Sequence, residues 1–180
     1  MDLREKKTKK NIKNAFLQLR AHKPLERISV KELAELAEII KATFYLHYHD
    51  IYDLSDCLQK ELIHNILNDI TPPDLLISDV NQINTYLFHA FNSYQSLIDI
   101  LFYGSQASVL SDYLEKAIKD HIFQLLPEKR NDARFNILLT YQIKGSYYAY
   151  NENHKQFGIK RVLEILDETF HMSNFHSNNL

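Results

Sequence analysis

Residues 29–48, SVKELAELAEIIKATFYLHY, constrain the fold of this chain more than any other stretch. Ser29 followed three residues later by Glu32 is the capping-box pattern of a helix start. A second short helix is predicted over residues 41–47, with Phe44 on its inner side and Tyr48 as a further inner residue. The buried side of the first helix is predicted at Val30, Leu33, Ala34 and Ala37. Two short helices joined by a tight turn are the geometry of a helix-turn-helix that reads DNA.

Apolar residues recur at helical spacing along most of the chain, which predicts an all-α fold of about nine helices. Gly and Pro number only 3 and 4 among 180 residues, too few for the turns of an all-β fold. Asp50, Asp79 and Asn131 are predicted as helix caps. The other helices are predicted over residues 6–22, 51–70, 79–92, 94–103, 107–126, 132–150 and 155–172, and the tail from residue 173 is expected to fray.

Charge is distributed unevenly along the chain. Residues 1–50 contain eleven Lys or Arg and seven Asp or Glu, whereas the remainder contains ten and sixteen. This asymmetry favours an anionic partner for the first part, with a solvated lysine-rich terminus as the alternative. We predict a domain over residues 1–50 and a second over residues 51–180, in which Thr71-Pro72-Pro73 is the clearest helix boundary.

The octapeptide KATFYLHY of residues 41–48, followed by Asp53-Leu54, resembles the DNA-binding domain of the TetR family of bacterial transcription regulators. The resemblance extends from Thr8 to Leu54 and implies a helix-turn-helix domain followed by a helical ligand-binding and dimerisation domain. It also implies DNA contacts by Thr8, Ser29, Lys41, Ala42, Thr43, Tyr45, His47 and Tyr48. Thr8 lies with Lys9, Lys10 and Lys13 near the predicted start of helix one, where free N–H groups favour a phosphate. A capping threonine with solvated lysines is the alternative.

Four residues depart from the family pattern. Glu38 stands where a turn glycine is usual, so positive φ is expected there at a cost of about 1 kcal/mol. Ile40 replaces a small capping residue and cannot cap the second helix with its side chain. Leu46 and Ile51 replace basic residues of the family pattern. We therefore expect weaker and less salt-dependent DNA binding than is typical of the family.

The remainder of the chain is rich in aromatic residues and carries apolar residues on several helix faces. The resemblance implies that the last two helices pair with those of a second copy, and residues 145–154 resemble the Firmicutes-type carboxy-terminal domains of the family. The predicted dimer-interface residues are Tyr141, Tyr148, Val162 and Ile165. The predicted lining of a ligand pocket is Tyr86, Phe91, Phe102, Tyr103 and Tyr148, with ordinary core packing as the alternative.

No phosphate-binding loop or catalytic motif is present, so we expect no enzyme, no cofactor and no metal site. Asp167-Glu168 and Asp112 with Glu115 are interpreted as solvated charges, and Cys57 as a small, partly buried hydrophobe. Neither an apolar run of membrane-spanning length nor a secretory signal is apparent, which favours a cytoplasmic protein.

The expected function is a transcriptional repressor that binds a palindromic operator in double-stranded DNA as a homodimer and responds to a small effector or partner. The alternative is a helical interaction protein whose degenerate helix-turn-helix acts through a protein partner.

Overall fold

The computed structural model describes residues 3–70 and 83–175, and every regular element within these ranges is helical. The predicted all-α class and the predicted number of about nine helices are therefore confirmed for the described part. The α-helices are α1 Leu3–Arg20, α2 Val30–Leu36, α3 Lys41–Tyr45, α4 Ile51–Asn68, α5 Ile83–Ser93, α6 Gln95–Leu101, α7 Leu110–Leu125, α8 Ala133–Phe157 and α9 Ile159–Phe175. Short 3-10 helices lie at Leu25–Arg27, Gly104–Val109 and Pro127–Asn131.

The described residues divide into two compact units. The first unit consists of residues 3–62 and Gln95–Leu110, and the second of residues 63–70, 83–94 and 111–175. This division differs from the predicted boundary at residue 50, because the first half of α4, α6 and the 3-10 helix after it all pack with the first unit. Independent folding of residues 1–50 stays a prediction.

The first unit is built on the apolar stripe predicted for helix one. Ile12, Ala15 and Phe16 on α1 are buried. On this base, α2 packs against both α1 and α3, with Leu33 and Phe44 fully buried. Removing such side chains from water is the main contribution that offsets the entropy of ordering these short helices.

Two buried polar side chains hold the segment Gln95–Leu110 within the first unit. Arg20, only 2% exposed, donates hydrogen bonds to the carbonyl oxygens of Lys23 and Tyr103, each at 3.1 Å. Gln59 donates to the carbonyl oxygen of Leu101 at 2.9 Å. Because burial of a charged group costs free energy, it lowers the pKa of Arg20. One of the eleven cations of residues 1–50 is therefore structural rather than available to a partner.

The second unit has its own apolar cluster, to which α7 and α8 contribute most of the side chains. It consists of Leu67, Ile70, Leu114, Ile118, Ile122, Phe123, Leu139 and Ile143. Helix α9 packs against α8 and α5. The carboxylate of Asp167 on α9 is buried and accepts hydrogen bonds from the backbone and side chain of Asn84, each at 2.9 Å, and from the hydroxyl of Thr85 at 2.8 Å. The predicted solvated position of Asp167 is wrong, because this carboxylate caps the start of α5.

The boundary between α8 and α9 differs from the predicted one. The N-cap of α8 is Asp132, not Asn131, since its carboxylate accepts the N–H of Phe135 at 3.0 Å. The helix continues through residues 151–154, which the sequence pattern predicts as a break, and ends at Gly158 with φ +82°. Asn153 donates to the carbonyl oxygen of Ala149 one turn earlier, so a polar side chain typical of loops is accommodated within the helix.

Other helix ends agree with prediction to within a few residues. Asp50 caps α4 as expected, with its carboxylate accepting the N–H of Asp53 at 2.8 Å. The start of α1 is Leu3 rather than residue 6. The predicted boundary at Thr71-Pro72-Pro73 and the predicted cap Asp79 lie outside the described residues, as does most of the tail. Among the helices of residues 3–70 and 83–175, none is long and apolar enough to cross a membrane.

An ion-pair network joins α7 to α8 around Glu115. Lys119 and Lys144 lie 2.7 and 3.3 Å from the two oxygens of its carboxylate, and the hydroxyl of Thr140 donates to it at 2.6 Å. Burial alone disfavours the carboxylate, but the hydrogen bonds from Lys119 and Thr140 and the lysine charges outweigh it, so the pKa of Glu115 falls to about 2. Glu115 is therefore a partly buried link between two helices, not the solvated charge predicted for it, whereas its neighbour Asp112 is exposed.

We predict that Glu115 stabilises the second unit in a pH-dependent manner. Its pKa is about 2 in the folded state and 4.5 ordinarily, so its contribution is present above pH 4.5 and is lost as the pH falls toward 2. Glu115→Gln should lower the free energy of unfolding at pH 7 by as much as about 3 kcal/mol. Urea unfolding at fixed protein concentration should show this difference shrinking between pH 5 and roughly pH 2.

Glu128→Gln is the matched control, because Glu128 is exposed and forms no ion pair with the described residues. It should change stability little at any pH. Equal effects of the two substitutions, or a Glu115→Gln effect that does not vary with pH, would contradict the link assigned to Glu115.

Candidate nucleic-acid interface

The start of α2 is capped by Ser29, as predicted. The hydroxyl oxygen of Ser29 accepts the N–H of Glu32 at 3.2 Å. The reciprocal half of the capping box is not formed, because the carboxylate of Glu32 instead binds the ammonium of Lys23 at 2.6 Å. The ion pair links α2 to the residues that follow α1. It also neutralises the charge of Lys23, which is therefore less available to a partner.

The turn between α2 and α3 has the positive φ expected at Glu38. Its φ is +56°, the left-handed region that glycine adopts without strain. The N–H of Glu38 donates to the carbonyl oxygen of Glu35 at 3.2 Å, and the N–H of Ile39 donates to that of Ala34 at 2.9 Å. This pair of bonds is the Schellman motif, which ends a helix and redirects the chain. A glutamate therefore occupies the position where such a motif favours glycine.

The short helix α3 is anchored by one buried aromatic residue. The ring of Phe44 is fully buried, and its carbonyl oxygen accepts the N–H of Tyr48 at 3.0 Å. Ile40 precedes the helix in an extended conformation, without a side-chain capping bond, as its apolar side chain predicts. A capping side chain commonly contributes about 1 kcal/mol to the stability of a helix. Because α3 lacks this contribution, its stability depends on the burial of Phe44.

The side of α3 opposite Phe44 faces away from the core. Successive residues of an α-helix are rotated by about 100°, so residues two positions before and after Phe44 point to the opposite side. These residues are Ala42 and Leu46; Ala42 is exposed and Leu46 is 80% exposed. We call Ala42 and Leu46 the outer face of α3. Lys41 and Tyr45 are exposed beside it, and Ile40 is 71% exposed just before the helix.

Most of the residues predicted to contact DNA are thus brought together around α3. Lys41, Ala42, Thr43 and Tyr45 lie on α3 itself, with Thr43 partly buried. His47 follows α3 and is also partly buried. Its ring centre lies 6.4 Å from that of Tyr48.

Tyr48 differs from this group, because its ring lies on the inner side of α3. The centre of the ring is 5.7 Å from that of Phe44. Burial raises the pKa of the Tyr48 phenol, and the negative potential of Cys57, Glu61 and Asp53 on α4 adds to this effect. This position agrees with the prediction that Tyr48 is a further inner residue of the second helix, while its contact with DNA stays a prediction.

The free N–H groups predicted near Thr8 are not located there. Only the first turn of a helix has free N–H groups. Because α1 begins at Leu3, Thr8 lies after that turn. The hydroxyl of Thr8 donates to the carbonyl oxygen of Arg4 at 3.0 Å. Lys9 pairs with Glu5 at 3.0 Å, and Lys13 pairs with Glu61 at 2.7 Å. Any role of Thr8 at a phosphate would therefore use its side chain, not a helix end.

These pairings identify the cations that remain available at the surface of the first unit. Six of them are exposed and form no ion pair with the described residues: Lys6, Lys7, Lys10, Arg27, Lys31 and Lys41. Five carboxylates of the same unit are also exposed and outside ion pairs with the described residues: Glu26, Glu35, Glu38, Asp50 and Asp99. The six cations exceed these carboxylates by only one, so a polyanion would be met by individual lysines and arginines rather than by a large net charge.

The residues predicted to line a ligand pocket are divided between the two units. Phe102 is buried in the first unit, and Tyr103 is exposed there. Tyr86 and Phe91 are partly buried on α5 of the second unit, where Phe91 packs against the apolar cluster. The hydroxyl of Tyr148, also in the second unit, lies 3.3 Å from that of Ser111. Their role in ligand binding stays a prediction.

The residues predicted at a dimer interface differ in exposure. Tyr141 is 70% exposed, and Tyr148 and Ile165 are also exposed, whereas Val162 is buried within the second unit. Ile137, which lies four residues before Tyr141 on the same helix, belongs with the exposed group at 68%. Three acidic, cysteine or histidine side chains suitable for a metal do not come together anywhere in the described residues.

In comparisons with known proteins, no protein-family model, curated protein or solved structure matches the chain.

We predict that Glu38→Gly stabilises the first unit. Glycine removes the strain of φ +56°, although it also increases the entropy of the unfolded chain. The net gain in the free energy of unfolding should be up to about 1 kcal/mol. Thermal or urea unfolding measures it.

Glu38→Ala is the matched control, since it removes the same charge but keeps a Cβ in the left-handed conformation. It should not stabilise the protein. If both substitutions raise stability equally, charge rather than backbone strain is responsible, and the backbone at Glu38 is not strained.

Proposed function

We propose that this chain is a DNA-binding transcriptional regulator of the TetR type, which represses transcription by binding a palindromic operator as a homodimer. The observation that carries this proposal is the exposure of Lys41, Ala42 and Tyr45 on α3, which lie with the partly buried Thr43 in the order of the family's motif. A helix entering the major groove needs such a face of exposed side chains together with cations that reach the phosphates.

Two further features support the proposal. The Schellman turn at Glu38 connects two helices in the manner of a helix-turn-helix. Six exposed cations outside ion pairs with the described residues, Lys41 among them, are available to contact phosphates. In this proposal, a small ligand or a partner changes the separation of two heads and thereby the affinity for the operator.

A protein-binding head is the second candidate. The exposure of Ile40 and Leu46, at 71% and 80%, is the observation that favours it, because large exposed apolar side chains are typical of surfaces that bind proteins. Binding to DNA separates the two candidates.

We predict that Lys41→Ala weakens DNA binding about threefold to tenfold on every sequence tested, because a phosphate contact carries no sequence information. Fluorescence anisotropy with labelled duplexes at two salt concentrations measures both affinity and its salt dependence. The slope of log affinity against log salt should decrease by about 1, since one fewer counterion is released.

Lys60→Ala is the matched control. It also removes one lysine of the first unit, but Lys60 lies on α4 and pairs with Asp56 at 2.5 Å. It should leave both affinity and slope nearly unchanged. If Lys41→Ala behaves like Lys60→Ala, Lys41 does not contact DNA. If the unmodified protein binds no duplex, the regulator proposal itself fails.

The homodimer in this proposal uses the exposed apolar face of α8. Ile137, Leu138, Tyr141 and Tyr148 recur at helical spacing on one side of α8 and are all exposed. Gly145 lies among them, and a Cβ built there would meet no atom within 4 Å. An apolar stripe of this length, open to solvent, supports helix pairing with a second copy.

We predict that Tyr141→Lys weakens self-association at least about tenfold, because it places a charge at the centre of an apolar interface. Sedimentation velocity over a range of concentrations measures the dissociation constant. Tyr52→Lys is the matched control, since Tyr52 is a similarly exposed tyrosine on α4 of the first unit. Equal dissociation constants for the two variants would exclude this face of α8 as the dimer interface.

A further inference from the structure

We propose that the outer face of α3 selects thymine, through apolar contact of Leu46 and Ala42 with the C5-methyl groups of thymines in the major groove. This inference rests on the proposed DNA-binding function and specifies the base that the site recognises. It follows from three observations: which residues point outward, which residue types are missing there, and which charges flank the face.

The outward residues are apolar. Leu46 and Ala42 are two positions from the buried Phe44 on either side, so they project directly away from the core. Leu46 has helical φ and ψ of −71° and −19°, so its side chain continues the helical face. At 80% exposure it makes little contact with the described residues, and its surface is free to meet a partner.

Side chains that form hydrogen bonds to specific bases are scarce on α3. Guanine is usually read by Arg or Lys, adenine by Asn or Gln, and cytosine by Asp or Glu, whereas thymine is distinguished by its methyl group. Residues 41–46, KATFYL, contain only Lys41 from these polar classes, and it lies to the side of the outer face. Direct readout by Ala42 and Leu46 is therefore apolar, and the hydroxyls of Thr43 and Tyr45 lie outside this face.

An apolar face selects against the other bases as well as for thymine. A leucine placed over the amino group of cytosine, or over N7 and O6 of guanine, displaces water without replacing its hydrogen bonds. Over a thymine methyl group, the same side chain buries apolar surface on both partners. The preference for thymine therefore combines a gain at one base with a penalty at others.

The flanking charges indicate that the occupant of this face is DNA rather than an apolar protein surface. Lys41 is exposed next to the outer face, and Lys31 is exposed on α2. Neither forms an ion pair with the described residues. An apolar centre with the cation of Lys41 beside it complements a groove whose floor carries methyl groups and whose edges carry phosphates.

The test begins with selection of bound sequences by the full-length protein from random DNA duplexes. In the selected site, each thymine is then replaced by deoxyuridine, which removes only the C5-methyl group. At a thymine contacted by the outer face, this should weaken binding about fourfold, the effect of losing one buried methyl group. Replacing the same thymine by cytosine should weaken binding more, and 5-methylcytosine should restore part of the loss.

Leu46→Ala assigns the contact to a residue. The substitution should weaken binding to the thymine site several-fold and abolish the further loss caused by deoxyuridine at one position, since the two partners of a contact are not additive. Leu125→Ala is the matched control, because Leu125 is an exposed leucine on α7 of the second unit. It should keep the full deoxyuridine effect. Unchanged thermal stability of both variants excludes misfolding as the cause.

The outcomes separate this inference from the function on which it rests. If selection enriches a sequence but deoxyuridine has no effect at any thymine, or an equal effect with Leu46→Ala, thymine recognition by this face is refuted and the regulator proposal stands. If selection enriches no sequence, DNA is not the occupant, both proposals fail, and the apolar face is left to a protein partner.

Discussion

The left-handed backbone at Glu38 is the constraint on which the candidate site depends. It ends α2 and redirects the chain into α3, whose Phe44 is buried in the core of the first unit. Once Phe44 is buried, helix geometry determines that Ala42 and Leu46 point outward. A glutamate holds this conformation at some cost, which means that the surrounding packing, not the residue at the turn, stabilises the relative position of α2 and α3.

Ion pairing, rather than the total number of charged residues, determines which charges of this protein a partner can contact. The excess of cations in residues 1–50 overstates what a partner can meet, because Arg20 is buried and Lys9, Lys13 and Lys23 are held by carboxylates. The lysines that remain outside such pairs among the described residues are those at the start of α1 and beside α2 and α3. In the second unit, pairing is structural: Asp167 caps α5, and Glu115 joins α7 to α8.

The two exposed apolar surfaces lie in different units and carry different neighbours. The outer face of α3 is small and lies beside Lys41, which pairs with none of the described carboxylates and could reach a phosphate. The face of α8 is longer, and two of its four apolar side chains are tyrosines, as is typical of protein interfaces. The proposed division of roles, DNA at one surface and a second copy at the other, follows from this difference in chemistry.

The sequence alone determined whatever depends on neighbouring residues along the chain. The all-α class, the Ser29 and Asp50 caps, the buried stripe of α1 and the positive φ at Glu38 were predictable, because helix periodicity, capping and turn geometry are local. Continuation of α8 to Gly158 was missed even though it is also local, since the side-chain bonds of Asn153 and His154 to the preceding turn offset their preference for loops.

Only the tertiary structure decided which residues meet across the chain. It brought Gln95–Leu110 into the first unit through Arg20 and Gln59, and Asp167 to the start of α5. These contacts join residues 42 to 83 positions apart, and no periodic pattern encodes a single long-range hydrogen bond. The sequence placed Phe44 on the inner side of α3, and helix geometry then gives Ala42 and Leu46 as the outward residues. Only the tertiary structure shows that Phe44 is fully buried and that Leu46 stays 80% exposed, because both depend on what packs against α3.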